Sequence, residues 1–310
     1  MGSVFYVLAL PCRYRIPILV AAKALCHSPN MDMLKSLFVS AYMMAAIIIL
    51  VFAVKSLLAG ADVIAWGGVI LVYAPFMMVL SWLMLFRRMA RTSSRLPMLI
   101  VLGALGVIVA TWGYLEGGSS VAPVLAIVGF VAFLVYDYWY SSFGRSHSGQ
   151  LTVGQMLPAF ELKNTGGDIV SSISLTDKPT VWIFYRGNWC PLCMAQIKEV
   201  AAQYQQIEEL GARVALVSPQ PHEFTVGLAK KFDVSFEFLT DEHNSAAQTL
   251  GIANTYGVPM GMQVLGYDSE TVLPTVIITA SGGRILWADE TDNYRVRPEP
   301  EHFLTVLRES

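Results

Sequence analysis

Charge is scarce in this chain: Asp, Glu, Lys and Arg make up 14% of 310 residues, against 55% hydrophobic. A soluble domain carries about a quarter of its residues as charges, so a single soluble globule is excluded and a membrane part is implied. The formal net charge is −2 and no long basic block is present, which leaves no electrostatic grip for nucleic acid. Cysteine is rare too. Four are too few for a disulfide scaffold, and only Cys190 and Cys193 stand close together. A zinc site there would need a second pair of ligands, and Cys12 and Cys26 lie far off, before the apolar segments. Neither a metal nor another cofactor is expected. No apolar segment holds a cysteine or a histidine pair, which argues against a thiol relay or a haem conduit across the bilayer.

What the chain has instead is a series of apolar runs. Ser36–Leu58, Val63–Phe86, Pro97–Leu115 and Val121–Tyr140 each approach the ~20 residues that cross a bilayer, giving a membrane bundle of about four spanning helices over residues 36–143. Their charges, Lys55, Asp62, Glu116 and Asp137, fall near predicted ends, where a side chain can reach the headgroups. Tyr136, Tyr138, Trp139, Tyr140 and Phe143 form an aromatic cluster suited to the membrane interface, as do Trp82 and Phe86. Arg87, Arg88, Arg91 and Arg95 join the second and third runs, while Ala59–Asp62 and Glu116–Ser120 hold no Lys or Arg. The positive-inside rule then puts the arginine loop, and everything after Gly144, in the cytoplasm. A multi-pass protein of the bacterial inner membrane is expected, with the lipid bilayer as a partner. The arm over residues 1–35 contains Arg13, Arg15, Lys23 and Lys35 and is given no function; Met31 and Met33 offer a later start, which intact mass would decide.

A polar linker, residues 144–153, leads to a domain of different character over 154–310. Thr180–Tyr185 reads as a strand, a helix follows from Pro191, then a strand at Arg213–Val217 and a helix near Glu223–Phe232. This βαβα order implies a sheet covered by helices on both faces. Thr275–Thr279 and Arg284–Trp287 flank Ala280-Ser281-Gly282-Gly283, a hairpin signal, and Glu299–Leu307 reads as a closing helix.

Cys190 and Cys193 sit where a strand gives way to a helix. Pro191 suits the first helical position, and Ile197, Val200, Ala201, Tyr204 and Ile207 form the helix's apolar stripe. Cys190 therefore caps the helix, where free N–H groups and the dipole favour a thiolate. Cys193, one turn on, is placed to resolve a mixed disulfide.

Three motifs resemble the thioredoxin superfamily, and within it the peroxiredoxin-like AhpC/TSA or redoxin branch. They are Gly154-Gln155-x-Leu157-Pro158-x-Phe160, the run Phe184-Tyr185-Arg186-Gly187-Asn188-Trp189-Cys190-Pro191-Leu192-Cys193, and Leu273-Pro274-Thr275. The resemblance implies an α/β thioredoxin-like domain with a central mixed sheet, with Pro274 as a cis proline facing the dithiol. Peroxiredoxins place a proline and a threonine seven and three residues before the peroxidatic cysteine; counting back from Cys193 meets Arg186 and Cys190 instead. Trp189 ahead of Cys190 satisfies the thioredoxin-like register. The expected function is thus a membrane-anchored thiol–disulfide oxidoreductase, with Cys190 attacking and Cys193 resolving. Alternatives are a peroxiredoxin-like thiol peroxidase and a non-enzymatic redox sensor. Partners are protein disulfides or peroxides as substrates and a cellular thiol as reductant. Trp189, Pro191, Arg186 and Pro274 are expected to shape the site, with Arg186 stabilising a thiolate or oxyanion. His222 is expected to be structural, Asp241 to cap a helix near Asn244, and Tyr294, Arg295 and Arg297 to be edge structure.

Overall fold

The computed structural model describes residues 29–86 and 88–310; the expectations placed on Cys12, Cys26, Arg13, Arg15, Lys23 and Arg87 lie outside the described residues. Four long helices come first: α1 (Pro29–Leu58), α2 (Val63–Phe86), α3 (Pro97–Leu115) and α4 (Val121–Val135), the last continued by a wider π turn at Tyr136–Tyr140. Each, with α4 and its π turn taken together, is long and apolar enough to cross a bilayer. α2 and α3 meet at small residues. A Cβ on Gly68 would stand 2.3 Å from the Ala110 nitrogen, and one on Gly113 2.3 Å from that of Ala65, so only glycine lets the two backbones approach this closely.

α1 begins at Pro29 and not at Ser36. Hydrophobicity marks where a helix can meet lipid, but this extra length reaches the C-terminal part of the chain: Lys35 Nζ donates to the Ser142 carbonyl at 2.6 Å, and just beyond it Ser36 Oγ donates to the Val258 carbonyl at 2.7 Å and Ser40 Oγ to that of Met260 at 2.8 Å.

The C-terminal α/β domain is built on a seven-stranded mixed sheet in the order β2-β1-β5-β4-β3-β8-β9. These strands are β1 (Glu161–Lys163), β2 (Ile169–Ser171), β3 (Thr180–Phe184), β4 (Arg213–Ser218), β5 (Glu237–Thr240), β8 (Thr275–Thr279) and β9 (Ile285–Asp289); β6 (Ala253–Asn254) and β7 (Thr271–Val272) pair separately. β3, β4 and β5 run parallel, and β8 lies antiparallel to β3. The central strand β3 is buried throughout, and its alternation sends residues to two cores. Val181 and Ile183 pack with α5 (Pro191–Ala202) and α9 (Pro300–Arg308), through Ile197, Val200 and Phe303. Trp182 and Phe184 pack on the other face with Ala246 and Leu250, at and just after α8 (Ser245–Thr249). Between them come α6 (Tyr204–Glu209) and α7 (His222–Ala229).

The two parts are locked together at one end of the bundle. Asp137, expected to reach headgroups, is fully buried instead and pairs with Arg295 at 2.6 Å. Tyr136, expected at the membrane interface, is buried and meets the Tyr294 hydroxyl. Both corrections share a cause: the α/β domain covers the end of α4, replacing the headgroup layer there. Arg91 likewise bonds Glu199 and donates to the carbonyls of Arg297 and Pro298. The 144–153 stretch is also tied down, through the buried Arg145–Glu290 pair at 3.1 Å.

Candidate active site

β3 ends at Phe184, and the chain turns through Tyr185–Trp189 before α5. Gly187 makes the turn at φ +143°, where a Cβ would stand 2.6 Å from Trp189 Nε1. Pro191 opens α5 and Cys190 caps it in an extended conformation, with the Cys190 carbonyl accepting from the Met194 N–H at 3.1 Å. Cys193 lies in the first turn of the helix. Both thiols are free and buried, Cys190 2% and Cys193 0% exposed.

Two buried arginines face this turn. The Arg186 guanidinium lies 4.7 Å from the centre of the Trp189 ring and donates to the Gly257 carbonyl. Arg297 Nη2 stands 3.7 Å from Cys193 Sγ, and the Arg297 carbonyl is held by Arg91 Nε at 3.2 Å. An arginine of the loop between two membrane helices thus supports the segment whose side chain touches the dithiol.

The pair carries its negative charge on Cys190. A hydrogen bond from Cys193, with Arg297 and Arg186 close by, outweighs burial and brings Cys190 from about 9 down to about 6. Burial, together with the neighbouring Cys190 charge, pushes Cys193 up. Cys190 is then mostly thiolate at neutral pH, with Cys193 protonated beside it. Alkylation of the reduced protein, followed residue by residue by mass spectrometry, should rise with pH to a plateau with its midpoint near pH 6 for Cys190. A midpoint near 9 would mean that Cys193 and the arginines do not stabilise the anion.

Cys190, and not Cys193, lines a cavity of about 340 Å³ between the helix bundle and the α/β domain. Val39 and Met43 of α1 and Val79, Leu80 and Leu83 of α2 wall one side; Trp189, Pro191 and the Pro259–Met262 segment wall the other, with Arg186 and Arg295 among its few charged groups.

Of the residues singled out in the sequence, Cys190, Cys193, Trp189, Pro191 and Arg186 come together here. The Pro274 expectation needs correction: no peptide bond is cis among the described residues, so Leu273–Pro274 is trans. Trans is the ordinary isomer, and it fits because β8 starts at Thr275, so the missing N–H leaves no ladder bond unmade. The Pro274 carbonyl accepts from Arg145 Nη1 at 3.2 Å. Asp241 caps α8, its carboxylate accepting from the N–H groups of Ala246 and Ala247 at 2.8 and 2.9 Å. His222 Nδ1 lies 3.1 Å from Thr240 Oγ1, a local strand-end contact. Arg297, read from the sequence as edge structure, stands instead 3.7 Å from the Cys193 sulfur; its one sequence signal was a pair of arginines, Arg295 and Arg297, beside an aromatic ahead of the closing helix. Among the described residues no three His, Cys, Asp or Glu side chains gather as a metal site.

The AhpC/TSA family matches residues 153–288, beginning after the four helices. "Peroxiredoxin Q, chloroplastic" of Populus jackii is 28% identical over 137 residues, which cover 44% of this chain and 64% of that protein. "Putative peroxiredoxin bcp" of Helicobacter pylori is 30% identical over 126 residues, covering 40% of this chain and 81% of that protein. The crystal structure of peroxidoxin BcpB from Mycobacterium tuberculosis aligns with 51% of this chain and 97% of its own, at 19% identity and a TM-score of 0.42.

Proposed function

The chain belongs to the AhpC/TSA family, and on that premise we propose that it is a membrane-anchored thiol peroxidase, with Cys190 attacking peroxide and Cys193 resolving. The observation that carries this reading is a thiol lowered to about 6 that is only 2% exposed. A small peroxide can reach such a sulfur, whereas a protein disulfide must bring a folded surface up to it and would meet α1, α2 and the Pro259–Met262 segment first. The disulfide-exchange reading drawn from C-x-x-C spacing therefore takes second place. It retains one support: counted back seven and three residues from the attacking Cys190, Ile183 and Gly187 stand where peroxiredoxins carry proline and threonine.

The steps balance. The Cys190 thiolate attacks one oxygen of ROOH, the O–O bond breaks, and with one proton the leaving oxygen departs as ROH, giving a sulfenic acid. The Cys193 thiol then attacks the Cys190 sulfur, forming the disulfide and releasing water. Two equivalents of a small cellular thiol restore the dithiol and leave as their own disulfide. Arg186 and Arg297 hold the anionic forms in place, as permanently charged donors can. Stopped-flow mixing of the reduced full chain in detergent with hydrogen peroxide tests the reading. Oxidation far faster than that of a free thiol supports it; fast exchange with protein disulfides and slow peroxide oxidation would return the exchange reading to first place.

The orientation proposed is cytoplasmic, with the domain inside the bacterial inner membrane. Arg88, Arg91 and Arg95 support it, since the loop that carries them joins the same bundle end as the α/β domain. Protease digestion of the domain in inside-out but not right-side-out vesicles is the expected result, and the reverse pattern would refute it.

A further inference from the structure

We propose that the cavity between the helices and the α/β domain is a substrate site for a peroxidised acyl chain of a membrane lipid, entering sideways from the bilayer and presenting its hydroperoxide to Cys190. This deepens the peroxidase reading and rests on it.

The cavity's place in the chain is the first argument. Eight of its 23 lining residues come from α1 and α2, which lie outside residues 153–288 where the family matches. The site therefore belongs to this chain's particular union of helices and domain. Its volume, about 340 Å³, falls within the ~300–1,000 Å³ range of small-molecule sites, far more than hydrogen peroxide requires.

Its rim is the second argument. Val79, Met84 and Met260 stand there 40%, 49% and 48% exposed, so the mouth opens onto a medium that tolerates apolar side chains. The segment carrying Met260 is bound to α1 through the Ser40 hydroxyl. It exposes Val264 (89%) and Leu265 (61%), and no charged residue occurs from Gly257 to Tyr267. Such a segment, fastened to a spanning helix near its domain end, belongs in the outer acyl layer of a bilayer.

Its inner end is the third. Cys190 meets there the buried Arg186, whose Nε has no partner, and Trp189. A mostly apolar cavity whose polar lining includes Cys190 and an arginine with one unfilled donor matches an acyl chain bearing one polar, reducible group. The lipid hydroperoxide leaves as the lipid alcohol plus water, its two electrons coming from the Cys190–Cys193 dithiol and, in the next cycle, from the small thiol.

The test uses the full chain in lipid nanodiscs, with a linoleoyl hydroperoxide of phosphatidylcholine and with hydrogen peroxide, dithiothreitol being the reductant. Leu80→Trp, on α2, and Met43→Trp, on α1, narrow the cavity from two different helices of its bundle side. Each should lower turnover of the lipid hydroperoxide by about tenfold more than turnover of hydrogen peroxide. A Cys190 alkylation midpoint kept near pH 6 confirms folding of each variant. Hydrogen peroxide consumed while the lipid hydroperoxide is not, or both slowed alike by both variants, overturns this site and leaves the peroxidase reading intact. Consumption of neither by the wild-type chain overturns both. Oxidation of the dithiol by a short-chain quinone, with no turnover of the lipid hydroperoxide, would assign the cavity to a different occupant and refute the proposal.

Discussion

Cys190→Ser should abolish peroxide consumption, lowering the rate on the order of 10⁴-fold or more, whereas Cys193→Ser should allow one fast turnover per chain and then stall. The asymmetry follows from the positions of the two sulfurs. Cys190 caps α5 with its thiol brought down to about 6 and faces the cavity; Cys193 is fully buried, with its thiol pushed up. Removing the first removes the nucleophile. Removing the second leaves a sulfenic acid with no internal thiol to condense with. Dimedone labelling after one equivalent of peroxide should mark Cys190 in the Cys193→Ser chain and nothing in the Cys190→Ser chain. The opposite pattern would exchange the roles and make Arg297, 3.7 Å from Cys193, the partner of the attacking thiolate.

The second large effect is expected at the junction. Asp137→Leu strands the Arg295 charge, whose Nε and Nη1 already lack hydrogen-bond partners and which keeps neutral company alone, the Ser94 carbonyl at 2.9 Å and the rings of Tyr136 and Tyr294. Breaking a buried pair from one side costs about 3–5 kcal/mol. Denaturant unfolding of the full chain in detergent should show a loss of that size. Asp137→Leu with Arg295→Met should recover most of it, because no charge is then left without a partner. Equal losses in the single and double variants would assign the cost to packing. Arg295 lies two residues from Arg297, so the single variant should also slow the peroxide reaction.

Local order was readable in the sequence wherever neighbouring residues decide it. The bounds of α2 and α3 follow from apolar runs closed by arginines, glycine or proline, and β3, α5 and the β8–β9 hairpin follow from short-range pattern and turn chemistry. Long-range pairing was not readable. Asp137 looked like an end charge because its partner lies 158 residues on, and the early turns of α1 are tied to a carbonyl 107 residues away. Arg297 meets Cys193 across 104 residues, a separation no motif spans. The Pro274 isomer was carried over from a resemblance whose key proline serves a different local need here, just before the start of a strand next to the sheet edge. The cavity was invisible for the same reason: its walls come from α1, α2, the loop after α2, the π turn after α4, the Cys190 turn, a loop near residue 260 and Tyr294–Arg295, stretches that only the docked fold brings together.

The outlook of Cys190 onto the helices changes how its reaction is to be counted. A thiolate supplied through the cavity between the helices and the α/β domain samples the two-dimensional leaflet, so its rate is governed by the mole fraction of oxidised lipid and not by moles per litre. Adding unoxidised phospholipid at constant total peroxide then dilutes the substrate while the bulk concentration stays fixed. One copy sweeps whatever patch lateral diffusion carries past it, which makes the surface density of the protein the quantity that sets how far its protection extends.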